Sequence, residues 1–199
     1  KIKIENNRTL SPGSGTETSD TIILKSKSPK NIILGPAIGR AVHRSLNLIN
    51  FKDNTEKIKN ICSNCAYSEG IFSNTLDVEN CVFKALSTNT IKNLQNNFSR
   101  EVPISGKIGN SKYSGYIDLL IENNDHYVIV DYKTDSINKK NSIESKVEKY
   151  SKQLATYSVL LKQNGIQKDI KAMFLFLDSS KDIEYEIADL SKIETAVSE

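Results

Sequence analysis

The sequence has no tryptophan, one methionine, three cysteines and two histidines in 199 residues. An odd set of cysteines (Cys62, Cys65, Cys81) fits a reducing compartment better than a disulfide scaffold. Cys62 and Cys65 form a C-x-x-C pair, but a structural zinc or iron–sulfur site takes four ligands. Neither His43 nor His126 lies at finger spacing from that pair, so the cysteines read as thiols on a helix. No run approaches the ~18 apolar residues of a membrane span, and no signal-peptide pattern opens the chain. A net charge of +3 permits a polyanionic partner without demanding one. No G-x-x-x-x-G-K-[S/T] loop is present, which excludes a P-loop motor within this chain. The first residue is Lys1 rather than Met, so a piece of a longer protein is expected.

What is present divides into an arm and a body. Residues 1–34 carry "TLSPGSGTETSD", the composition of a linker, with short apolar patches at "TIIL" and "NIIL". A helix is expected to open at Gly35-Pro36, with Ile38, Val42, Leu46 and Ile49 along one stripe and Pro36 in its first turn. Two more helices are expected over 54–67 and 74–97. From Glu101 the period changes to alternation: "REVPISGKIG", "KYSGYIDLLI" and the continuous apolar run "HYVIVDY" read as strands, the last central. Residues 143–163 return to helical spacing through Val147, Tyr150, Leu154, Tyr157 and Leu161, ended by Asn164-Gly165. "IKAMFLFLD" and "IEYEI" close as strands. The order gives an α/β fold with a mixed central sheet flanked by helices.

Within those strands stand Asp118, Asp131 and Lys133, residue types that strands seldom bury unpaired. If Asn123–His126 is a four-residue hairpin loop, Glu122 pairs with Tyr127. Counting back then sets Asp118 opposite Asp131 and Tyr116 opposite Lys133, all on one face. Facing Cβ atoms lie roughly 5 Å apart, so the two carboxylates repel unless a positive charge lies between them. A divalent cation would supply it, since Mg²⁺ takes hard oxygen ligands, and Lys133 would steady a phosphate. A plain Asp–Lys ion pair at a strand end accounts for the same spacing.

The motifs resemble the PD-(D/E)XK nucleases, and within them the RecB/AddA-type domain at the C-terminus of UvrD/Rep-type helicase–nucleases. The matching pieces are Gly39…His43, Glu101-Val102-Pro103, Gly115-Tyr116-Ile117-Asp118, Val130-Asp131-Tyr132-Lys133-Thr134 and Tyr150…Gln153-Leu154…Tyr157, in that order over about residues 35–178. Tyr116 departs from the arginine common before "I-D".

The resemblance implies a restriction-endonuclease-like core over residues 35–199, tethered by residues 1–34 to an upstream helicase. It implies His43, Asp118, Asp131 and the Tyr132 backbone carbonyl as metal ligands and Lys133 as the catalytic lysine. Glu101 would be an acid supporting the metal, and Gln153, Tyr157 and Tyr150 would steady the site and the DNA. The implied activity is Mg²⁺-dependent (Mn²⁺ as substitute) exonuclease cleavage of single-stranded DNA in cytoplasmic double-strand-break repair and recombination, with a possible second helicase–nuclease subunit. A dormant module that binds DNA or braces a helicase is the alternative. No iron–sulfur cluster is expected, because the cysteines are three and confined to residues 62–81. The lysines of "INKKNS" (137–142) are further candidates for phosphate contact, though most charge runs are solvated.

Overall fold

The computed structural model describes residues 3–5, 9–10, 30–95, 97–135, 142–178 and 183–198. Its elements are β1 (Lys3–Glu5), β2 (Thr9–Leu10), α1 (Lys30–Leu48), α2 (Thr55–Ser68), α3 (Thr75–Ser87), α4 (Asn89–Lys92), β3 (Phe98–Ile108), β4 (Ser111–Glu122), β5 (His126–Lys133), α5 (Ile143–Gln163), β6 (Asp169–Phe176), β7 (Glu184–Glu186) and α6 (Leu190–Ser198). The fold is α/β, with a mixed sheet flanked by helices, as the sequence order implies. β3 pairs antiparallel along one edge of β4. The other edge of β4 is shared, with β5 beside Leu119–Glu122 and β1 beside 112–114. β5 runs parallel to β6, which pairs antiparallel with β7, so β5 is central.

Two apolar cores lie on the two sides of the sheet. Leu119, Val130, Tyr132, Leu175 and Leu177 join α1, α2 and α3 on one side, including the buried Cys62, Cys65 and Cys81. Burial pushes the Cys62 and Cys81 thiols up to about 11, so both are neutral at physiological pH. On the other side Ile117, Ile129, Phe174 and Phe176 pack against Leu154, Tyr157 and Leu160 of α5. Helix α5 comes close over β3, because a Cβ on Gly106 would stand 2.6 Å from Leu160 Cδ2. Its N-terminus is capped by Ser142, whose side chain accepts the Ser145 N–H.

Two expectations are corrected, and three elements are added. Helix α1 starts at Lys30 instead of Gly35, which leaves Pro36 inside it. The missing N–H costs one intrahelical bond, and the fully buried Ala41, Val42 and Leu46 anchor the helix beyond it. The helix expected over 74–97 breaks at Thr88, which turns extended; its hydroxyl donates to Ala85 O and accepts the Ile91 N–H, ending α3 and capping α4. The arm contributes β1 and β2, and the chain adds α6; neither was anticipated. The remainder of the linker-like stretch, 11–29, lies outside the described residues.

One irregularity governs the site. Glu101 adopts φ 47°, the only positive φ outside glycine among the described residues. The β3–β4 register is unbroken around it, with Arg100 opposite Leu119 and Val102 opposite Ile117, which sets Glu101 against Asp118. Before this point Phe98 and Leu119 face the α1–α3 core; beyond it Val102 and Ile117 face α5. Both strands therefore exchange faces at Glu101 and Asp118. A left-handed residue in one strand produces this turn, as β-bulges do.

Candidate active site

The β4–β5 hairpin has the expected register. Asn123 N–H donates to His126 O at 2.9 Å, and Glu122 pairs with Tyr127. The ladder stops at Leu119 and Val130, one pair short of the acids, and the strands part there. Asp118 bridges the gap. Its Oδ2 accepts the Tyr132 N–H at 2.8 Å, so a side chain takes the place of a ladder partner.

Helix α1 brings His43 to the fork. A Cβ on Gly39 would lie 3.1 Å from Thr134 Oγ1, so glycine lets the helix approach the end of β5. The helix's C-terminal end is tied by Arg100, whose guanidinium donates to Asn47 O (3.0 Å) and Ile49 O (2.6 Å) and stacks over Phe51. His43 Nδ1 faces Asp118 Oδ1 at 3.0 Å and Nε2 faces the Tyr132 carbonyl at 3.0 Å. Both partners are acceptors, so neutral imidazole can satisfy only one of them. Burial opposes a charge on His43, but the Asp118 carboxylate outweighs it and holds the imidazole above its ordinary 6.5. Asp118 answers in kind: despite burial, His43 and the Tyr132 N–H hold its carboxyl below the usual range.

Glu101 completes the group. One ligand atom from each of His43, Glu101 and Asp118 lies within 4.8 Å of the others. Burial and repulsion from Asp118 push the Glu101 carboxyl upward. Asp131, 5% exposed, is likewise raised by burial; Lys133 counters that and Asp118 adds to it. Ligand atoms converging from an imidazole and two carboxylates, with the Glu101 carboxyl and the neighbouring Asp131 destabilised as anions, make a donor set that fits a hard divalent cation.

Lys133 is held on the far side of the fork. Its Nζ lies 2.6 Å from Asp131 Oδ2 and 3.4 Å from Gln153 Oε1. The Tyr150 ring lies 4.3 Å from that ammonium, and Gln153 Nε2 donates to Tyr157 OH at 3.2 Å. Asp118 thus meets α1 while Lys133 meets α5, which corrects the expectation of one shared face; the face exchange at Glu101 divides them. Asp131 is near the group through its charge, but the close triplet takes Glu101 in its stead.

Two polar neighbours escaped the sequence reading. Asp135 Oδ2 accepts the Tyr150 hydroxyl at 2.6 Å and lies 3.7 Å from Lys146 Nζ. Burial holds the Lys146 ammonium below its ordinary value, partly offset by Asp135. The signal was available: Asp135 directly follows the Lys133-Thr134 motif, and Lys146 and Tyr150 are four apart on one helix face. Lysines 139 and 140 lie outside the described residues.

The profile of the PD-(D/E)XK nuclease superfamily matches residues 27–199. The chain belongs to this superfamily. Its divalent-metal chemistry agrees with the donor set at the fork, and the superfamily suggests a nuclease acting on DNA. None of the curated proteins matches this nuclease-superfamily chain. Among solved structures it is similar to one described as "Crystal structure of SSO0001", at 17% identity and TM-score 0.35, over 79% of this chain and 70% of that one.

Proposed function

We propose that the chain is the DNA-cleaving domain of a RecB/AddA-type helicase–nuclease, acting on single-stranded DNA released by a helicase in double-strand-break repair. The order of its five motifs supports the branch, and residues 1–34 would tether the domain to its motor. The observation that carries the nuclease reading is the convergence of His43, Glu101 and Asp118 beside a lysine held by Asp131.

In this reading His43, Asp118, Asp131 and the Tyr132 carbonyl hold Mg²⁺, with Glu101 supporting them. The cation supplies Lewis-acid polarisation of the phosphate and lowers the pKa of water. The protein's residues do the rest. Asp131 and Gln153 restrain the Lys133 ammonium, and the Tyr150 ring covers it, so its charge is pre-aimed at oxygens that gain charge during in-line displacement. Tyr157 fixes Gln153 in turn.

The test is incubation with labelled single-stranded DNA and Mg²⁺ beside Lys133→Ala. Removing a cation aimed at developing charge is expected to lower kcat by about 10²–10³-fold. Cleavage that ignores the substitution would remove Lys133 from the chemistry. Absence of cleavage in both proteins, with the metal bound, would favour the dormant module.

A further inference from the structure

Beyond Glu101 and Asp118 the β3–β4 hairpin turns one face to α5 and leaves the other uncovered. Val102, Ile104 and Ile108 of β3 and Tyr113 and Ile117 of β4 pack with α5. The side chains between them project to the opposite side. All six of those residues, Pro103, Ser105, Lys107, Lys112, Ser114 and Tyr116, are exposed. They form three cross-strand pairs: Pro103 with Tyr116, Ser105 with Ser114, and Lys107 with Lys112.

The order of the pairs is chemically directed. Tyr116 is two residues from Asp118 and 53% exposed, a large ring left in water beside the acids. Next come two hydroxyls, then two ammonium groups directly opposite each other. Like charges facing across a strand pair destabilise the sheet; Glu5 of β1, in register with Lys112 on its other edge, offsets part of that, and an anion lying over the lysines offsets the rest. From Asp118 to Lys112 the stripe runs about 20 Å. A π-face near the acids and positive charge farther out are the two elements that bind an unpaired strand: bases stack on the ring and phosphates meet the lysines. A duplex hides its base faces and offers Tyr116 nothing to stack on.

We propose that this open face is the track of a single-stranded nucleic acid, with Tyr116 stacked on a base next to the scissile phosphate and Lys107 and Lys112 on phosphates farther along. The inference rests on the nuclease reading for what lies at the end of the track, and its test does not.

Binding is measured by fluorescence anisotropy on a short labelled oligo-dT, with the full chain carrying Lys133→Ala so that the strand stays intact. Tyr116→Ala is expected to weaken binding about ten-fold, and Tyr116→Trp to restore it. Changing both Lys107→Gln and Lys112→Gln should reduce the slope of log Kd against log salt by about 1.4. All the altered side chains are exposed, so thermal melts should match the parent and exclude misfolding. Unchanged affinity and slope in these variants, or no binding by the parent, overturns the track. An equal loss on blunt duplex assigns the face to double-stranded DNA and overturns the single-strand inference. If the Lys133 protein never cuts DNA while these variants still lose binding, the nuclease reading fails and the track stands.

Discussion

The β3–β4 pair is covered on both faces at one end and on one face at the other, and the change falls at Glu101 and Asp118. At the covered end Leu119 is buried with α1–α3, and Leu120 packs on the α5 side. At the open end only the α5 side is closed, and β4 has left β5 for β1. The comparison separates two demands on one pair of strands. Burial on two faces supplies stability, while polar chemistry needs backbone released from the ladder and one face open to a large ligand. The site lies at the boundary, where a cation can be reached from solvent and still be gripped by ordered strands.

The largest expected effect sharpens that contrast in stability. Leu119→Ala should cost about 3 kcal/mol in denaturant melts. Ser114→Ala, on the open face of the same strand, should stay within about 0.5 kcal/mol. Similar losses at both positions would show that the open face is covered.

Next in size is the pH response of the boundary itself. His43 is raised above its ordinary 6.5 in the metal-free protein. Such a group stabilises the fold below its unfolded pKa and gives that stability up as pH rises through the folded value. A cation competes for the same lone pair, so Mn²⁺ affinity should move oppositely, tightening up to about ten-fold per pH unit until the imidazole is neutral. Calorimetric titration across neutral pH measures it, and His43→Asn should remove one proton from the linkage. An unaltered slope in that variant would place the competing proton elsewhere.

The smallest effect concerns the strained residue that joins the two ends. Glu101→Gly relieves the left-handed backbone and a carboxylate repelled by Asp118, so the metal-free protein should gain about 1 kcal/mol while cation affinity falls. A variant that loses stability would mean that the Glu101 side chain contributes more than its backbone costs.

Much of this was readable in the sequence because short-range rules decide it. The four residues between Glu122 and Tyr127 set the hairpin register, and α5 was bounded by its own stripe and its Asn164-Gly165 end. Helix α6 left a legible mark in Leu190, Ile193 and Val197, which now pack on the α5 side. The face exchange left none: alternation assumes an unbroken pleat, and glutamate carries no preference for positive φ. Pairing of β1 with β4 is a contact between distant segments that local periodicity does not encode. The same holds for the triplet of His43, Glu101 and Asp118, which local periodicity does not bring together and only the family motifs assigned to one metal.

The hairpin loop has a practical consequence. Glu122 and Tyr127 stand four residues from Asp118 and Asp131, about 13 Å along the strands. Asn124 and Asp125 are exposed at its tip, so a peptide tag or fluorophore spliced between them would lengthen only the turn. A single residue spliced between Tyr127 and Val130 would rotate Asp131 and Lys133 to the opposite side. One end of a short hairpin is thus permissive ground for engineering, and the other has no tolerance for even one added residue.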